Sequence, residues 1–171
     1  MEILNKGGLL YYAVDNFPTS GVRFIGLTPT LNDEQSLHLT AGRLNLLKKE
    51  DYDYIVSPES RGFIWGSLIA YKNGVGLIPV RKKGKIPTGL AGKGIEYSTE
   101  YSTDYLEMHN IDLTGKKVLF VDDVYATGGT YKVCKQLVDQ QGGELIGGTV
   151  IYDVGIDNNE EIESLYKGDE L

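Results

Sequence analysis

Four short apolar runs constrain this chain most: Asp53–Ser57, Val75–Arg81, Lys117–Asp122 and Leu145–Tyr152. They are rich in Val, Ile, Leu, Tyr and Phe and end in turn residues, which predicts strands. Helical stretches lie between several of them. Asn32 is placed to cap a helix, with Gln35 three residues on as in a capping box. Leu37, Ala41, Leu44 and Leu47 then fall on one helical face. A second helix is predicted over Gly62–Lys72 and a third over Gly129–Gln141, stopped by Gly142-Gly143. Strands alternating with helices imply an α/β fold with a central parallel sheet flanked by helices. Short, continuously apolar strands fit burial on both faces. In such sheets the ligand site lies beyond the carboxyl ends of the strands. The loops after Ser57, Arg81, Asp122 and Tyr152 are therefore where chemistry is expected. Lys82 to Asp104 breaks the pattern, being rich in Gly, Ser, Thr and Lys with little periodicity. Such a stretch in a compact domain reads as a flexible lid or binding loop.

Composition narrows the partners. The 171 residues suit one domain, and 41% hydrophobic with 24% charged content is ordinary for a globular protein. A net charge of −7 disfavours nucleic acid or an anionic membrane as the main partner, because both need an extended basic surface. Cys134 is the single cysteine, so no intramolecular disulfide can form. With no signal-peptide core near the start, a reducing, cytoplasmic setting is expected. Gly168-Asp169-Glu170-Leu171 reads as a frayed acidic terminus rather than a retention signal.

The chemistry concentrates in Val118-Leu119-Phe120-Val121-Asp122-Asp123-Val124-Tyr125-Ala126-Thr127-Gly128-Gly129-Thr130. It reads as buried strand, acidic pair, small-residue loop and helix start. Ala126–Thr130 would present backbone N–H groups and two hydroxyls at a helix N-terminus, a site suited to one phosphate monoester. Two carboxylates beside it make sense as acceptors for vicinal ribose hydroxyls. A Walker loop is excluded because no Lys follows Gly129, and no Gly-x-Gly-x-x-Gly fingerprint is present here. The positive charge sits elsewhere: Arg81, Lys82, Lys83, Lys85 and Lys93 precede Ile95 with no acidic residue among them. His38 and His109 show no metal spacing and are read as structural, as is Cys134 within its helix.

The thirteen-residue segment closely resembles the binding signature for 5-phosphoribosyl pyrophosphate (PRPP) of the type I phosphoribosyltransferases. Glu59-Ser60-Arg61-Gly62-Phe63 resembles that family's pyrophosphate loop. Pro79 to Pro87 and Glu100 to His109 are similar to the two ends of the lid in its adenine branch. Asn16-Phe17-Pro18 with Gly21-Val22-Arg23-Phe24 resembles that branch's base-covering segment. The resemblance implies a single domain over 1–171 with a small hood over 1–30 and a flexible lid over 82–105. It implies transfer of 5-phosphoribosyl from PRPP to adenine, giving AMP and pyrophosphate in purine salvage.

By the same resemblance, Asp122 and Asp123 would hold the ribose hydroxyls, and Ala126, Thr127, Gly128, Gly129 and Thr130 the 5′-phosphate. Arg61, Arg81, Lys82 and Lys85 would bind pyrophosphate. Glu100, with Tyr101 and Arg61, would be catalytic, Glu100 managing the proton of the base's imidazole ring. Phe24 and Tyr125 would cover the two faces of the base, with Ile25 beside it. Mg²⁺ is expected to ride on PRPP, pyrophosphate and water, with no dedicated protein ligands. A homodimer is implied by the relatives. The chain departs from the family pattern at Tyr125, where leucine is common, at Ile25-Gly26, where Arg-Asp stands, and at Ser102, where glycine is usual. It also ends soon after Glu163-Ser164-Leu165, which is expected to affect oligomer contacts or a pocket wall. These departures leave open another base as acceptor: hypoxanthine, guanine, xanthine or a pyrimidine. A PRPP-sensing regulator without catalysis is disfavoured by the length, the charge and the presence of Glu100.

Overall fold

The computed structural model describes residues 2–17, 19–48, 50–98 and 103–171. Within them a seven-stranded sheet forms the centre of the molecule. Its parallel part comprises β4 (Tyr54–Pro58), β5 (Gly76–Lys82), β8 (Lys117–Tyr125), β9 (Glu144–Asp153) and β10 (Ile162–Lys167). The spatial order is β10-β9-β8-β4-β5, all pairs parallel. The four predicted strands are present, and β10 is a further strand that the sequence reading did not single out. Its run Ile-Glu-Ser-Leu-Tyr-Lys is half polar because it lies at the sheet edge, where one flank meets solvent.

Helices cover both faces because neighbouring strand residues point to opposite sides. On one face Val56, Phe120 and Val150 pack against Cys134, Leu137 and Val138 of α4 (Gly129–Gln140). On the other face Ile55, Leu119 and Ile151 pack with Leu44 of α2 (Glu34–Leu47) and Trp65 and Ile69 of α3 (Arg61–Asn73). Leu37, Ala41 and Leu47 join that second cluster, as the helical spacing predicts. The start of α2 differs by one residue. Asp33 is the cap, its Oδ1 accepting the Ser36 N–H at 2.8 Å. Asn32 instead ends a short helix, α1 (Thr28–Leu31), with Pro29 in its first turn. The chain ends α3 at Gly74, whose φ of 66° suits the left-handed cap that glycine adopts without penalty.

The stretch after Arg81 is more ordered than its composition suggests. β6 (Ile95–Ser98) and β7 (Thr103–Glu107) pair antiparallel, and β7 pairs antiparallel with β5, extending the sheet. Glu107, 7% exposed, accepts N–H groups from Gly84 at 3.0 Å and Ile86 at 3.3 Å, so a buried carboxylate shapes the basic turn. At the other end of the chain, β1 (Leu4–Lys6), β2 (Leu9–Asp15) and β3 (Arg23–Gly26) form a separate antiparallel sheet. Residues Gly168–Glu170 form a 3-10 turn and Leu171 is 6% exposed. The expected frayed terminus is thus packed, because Leu171 joins the core cluster beneath the hood sheet. No helix among the described residues is long and apolar enough to cross a membrane.

Candidate active site

The carboxyl ends of β4, β5, β8 and β9 lie at one edge of the sheet, and some of the sequence-predicted residues, Arg61, Lys82, Asp122 and Asp123, line a cavity there. Asp122 and Asp123 lie in the second half of β8, Asp123 buried and Asp122 half-buried. Asp122 Oδ1 accepts the Asp123 N–H and Asp123 Oδ1 accepts the Val124 N–H, both at 2.8 Å. These bonds fix the two carboxylates side by side. Burial, and then the Asp123 charge, push the Asp122 carboxyl well above the usual carboxylate range. Arg61, at the first turn of α3, offsets this: its Nε is 3.0 Å from Asp123 Oδ2. Asp123 is 3% exposed.

Three residues on, Ala126–Gly128 turn the chain into α4. Gly128 takes φ 75° and has no side chain to cap the helix, so among the described residues the first N–H groups of α4 face the turn without a capping side chain. A Cβ on Gly128 would collide with the Tyr125 hydroxyl and Asp157. The helix dipole and these N–H groups together favour an anion. Thr130 Oγ1 lies 3.3 Å from the hydroxyl of Tyr97 on β6.

Two cavities flank the acidic pair. One, of about 210 Å³, is lined by Glu59, Ser60, Lys82, Tyr97, Asp104, Asp122, Asp123 and Thr130. The other, of about 970 Å³, lies under the hood between Phe24, Ile25, Val124, Tyr152, Val154 and Ile156, with Gly168–Leu171 as a further wall. Arg61 and Val124 line both. The Arg61 guanidinium also stands 5.8 Å from the Phe24 ring centroid, joining the hood to the acidic pair.

The other predicted residues divide. Lys82 lines the smaller cavity, whereas Arg81 and Lys85 line neither. Arg81 is held by Glu59, Nε to Oε2 at 3.0 Å, and stacks loosely on Phe63 at 5.8 Å. The Lys82 N–H first, and Arg81 second, hold the Glu59 carboxyl below its ordinary range. Glu100, Tyr101 and Ser102 lie outside the described residues. His38 bonds its own helix through the Glu34 carbonyl at 2.9 Å, and Cys134 is buried with its thiol pushed up by burial. Among the described residues no group of three or more His, Cys, Asp or Glu could hold a metal ion.

Tyr125 corrects the sequence reading. It does not line the cavity but turns into the core beside Tyr131, 3% exposed, with its hydroxyl donating to Asp157 at 2.9 Å. Burial is the main cause that pushes its phenol up to about 12. Val124 takes the cavity side because adjacent strand residues face opposite ways. That alternation was available in the sequence and would have selected Val124. Tyr97, Glu59 and Glu107 were also missed. Glu59 does open the segment likened to the pyrophosphate loop, Glu107 lies in the segment likened to the lid end, and Tyr97 belongs to the Glu96-Tyr97 pair that echoes Glu100-Tyr101.

This geometry agrees with what known proteins resemble the chain. Residues 36–171 match the phosphoribosyl transferase domain family. An adenine phosphoribosyltransferase of Acetivibrio thermocellus is 45% identical over 141 residues, covering 78% of this chain and 79% of the relative. The chain belongs to the type I phosphoribosyltransferases. Among solved structures, the adenine phosphoribosyltransferase of Thermoanaerobacter pseudethanolicus superposes with a TM-score of 0.84 at 36% identity, over 92% of this chain and 95% of that one. The Giardia lamblia enzyme, solved in complex with 9-deazaadenine, gives 0.81 at 27% identity, over 92% and 93%.

Proposed function

We propose that this chain transfers the 5-phosphoribosyl group of PRPP to adenine, releasing pyrophosphate and forming AMP. One observation carries the site assignment: an acidic pair, Asp123 buried and Asp122 half-buried, stands between the N-terminus of α4 and a cavity walled by Phe24 and Val124. The phosphate monoester seats on the N–H groups of Ala126–Thr130. Asp122 and Asp123 accept the ribose hydroxyls, and Arg61 moves from Asp123 toward the departing pyrophosphate. Lys82, which lines the smaller cavity, binds that group, with Arg81 and Lys85 reaching it as the lid over residues 82–105 closes. The base lies between Phe24 and Val124, with Ile25 behind it.

In the reaction the bond from the anomeric carbon to pyrophosphate oxygen breaks, its electron pair leaving with pyrophosphate. The lone pair of a base nitrogen forms the new bond from the opposite face. The proton that this nitrogen loses, directly or by relay round the ring, passes to Glu100, with Tyr101 beside it. Cations stabilise the charge on the leaving group, and lid closure excludes water that would otherwise hydrolyse the donor. The donor set fits Mg²⁺ as a substrate-borne ion. Two carboxylates, one paired with Arg61, would be too few to hold Mg²⁺ by themselves, so the ion would be held mainly through the substrate and water, with Asp122 and Asp123 nearby. Mg²⁺ would supply charge neutralisation of the diphosphate. A cytoplasmic homodimer completes the reading, supported by composition and by the family.

The test is product formation from PRPP and Mg²⁺ with adenine, hypoxanthine, guanine, xanthine, uracil and orotate supplied separately. Conversion of adenine alone is expected. Conversion of another base in its place would overturn the acceptor and leave the donor site standing. No conversion of any base would overturn the activity.

A further inference from the structure

Tyr125 and Asp157 lie outside the larger cavity, yet they fasten one of its walls. The segment after β9 is held at several points. The Val154 N–H donates to the Tyr125 carbonyl at 2.8 Å. The Gly155 N–H donates to Asp153 Oδ1 at 2.9 Å. The Tyr125 hydroxyl donates to Asp157 Oδ2 at 2.9 Å and accepts from Asn159 Nδ2 at 3.3 Å. Lys132 of α4 stands 3.3 Å from the same Asp157 carboxylate. Between the fixed points stand Val154 and Ile156, both facing the cavity. Ile156 is 61% exposed, so packing alone does little to hold it. The Tyr125–Asp157 pair also abuts Gly128 of the phosphate loop.

We infer that Tyr125 and Asp157 are positioning residues whose hydrogen bond sets Ile156 in the acceptor wall, so that base affinity depends on a phenol that never meets the base. The inference rests on the larger cavity being the acceptor site. An apolar residue at 125 would leave Asp157 held mainly by Lys132. Lys132 is largely exposed and Asp157 about one-third so, and pairs open to solvent in this way hold little. The buried phenol supplies a charge-assisted bond from a rigid core position, which is the stronger tether.

The experiment compares Tyr125→Phe, Asp157→Ala and the double variant by initial rates, with KM for the base and KM for PRPP measured separately. Each single variant should raise KM for the base about five- to tenfold, the scale of one hydrogen bond, with a smaller change in KM for PRPP. The double variant should match either single one, because both remove the same bond. Effects that multiply, or a lowered Tm with both KM values unmoved, would overturn the inference. A second readout is the Ile156 methyl resonance of the unliganded protein, assigned with Ile156→Val. A common displacement in both single variants is expected, and an unmoved signal would overturn the pin. That signal separates the pin from the activity, because it is read even if the wild-type protein converts no adenine.

Discussion

On the proposed reading, the ribose-phosphate part of the donor side comes from nine consecutive residues, Asp122–Thr130, on a single strand-turn-helix unit. The acceptor cavity is assembled from Phe24, Val124, Ile156 and Gly168–Leu171, which span most of the chain. The two differ in what fixes them. The donor side depends on backbone: the uncapped α4 terminus, the left-handed Gly128 and the hydrogen bonds that align the acidic pair. Backbone geometry of this kind tolerates few changes. The acceptor side depends on side chains meeting across a hood, a strand end and a C-terminal turn. It is therefore the part that substitution can retune, and the chain's departures at Ile25-Gly26 and Tyr125 fall on or behind it.

Substitutions should separate the two sides. The largest effect is expected from Glu100→Gln, which removes proton transfer and leaves the donor site intact. The turnover number should fall about a hundred- to thousandfold while PRPP binding, followed by calorimetry, is kept. Unchanged turnover would remove Glu100 from the chemistry. Next comes Asp122→Asn, which should lower kcat/KM for PRPP by about a hundredfold through loss of a charged acceptor for ribose hydroxyls. The same variant should raise Tm. The folded-state pKa of Asp122 lies above its unfolded value, because of burial and Asp123, so its ionisation opposes folding at neutral pH. Asparagine keeps an oxygen for the Asp123 N–H and removes the charge. A gain of about 2–4 °C is expected, the shift that ~1 kcal/mol produces in a domain of this size. A fall in both activity and Tm would show that the pair is not held under repulsion. Phe24→Ala should raise KM for the base about tenfold and leave KM for PRPP within about twofold, since one aromatic face is lost. Equal rises in both would break the division into two sides.

The division also explains what the sequence made legible. The donor side was readable because its residues are adjacent and its turn type is written in glycine and threonine. The sheet strands were readable because burial on both faces leaves continuous apolar runs. Three features were not. The hairpin of β6 and β7 hid in a Gly-, Ser- and Thr-rich stretch, because strand pairing with β5 overrides weak local propensity. Ile156 and Gly168–Leu171 gave no local sign of lining a cavity, since that follows from where β9 and β10 end. By resemblance, Tyr125 would stand over the base because it comes just after the acidic pair. The alternation of β8 places it in the core, with Val124 in its stead.

The smallest effect concerns the hinge between the pyrophosphate loop and the basic turn. Glu59 holds the Lys82 N–H and the Arg81 guanidinium through the same Oε2, both at 3.0 Å. These bonds, the Lys82 N–H foremost, depress its folded-state pKa below the unfolded value. The stability they contribute is fully present above the ordinary glutamate range and disappears as pH falls through the depressed folded value. Thermal melts of wild type and Glu59→Gln from pH 7 to pH 3 should therefore differ at neutral pH and converge in acid. The neutral-pH difference should be about 1 kcal/mol or less, because Arg81 remains one-third exposed and solvent screens the pair. Curves that stay parallel into acid would mean that the Glu59 charge does not hold the turn. The buried Glu107, which accepts the Gly84 and Ile86 N–H groups, would then be its main support. That outcome would move the anchor of the donor side's cations from a solvent-facing ion pair to the sheet edge.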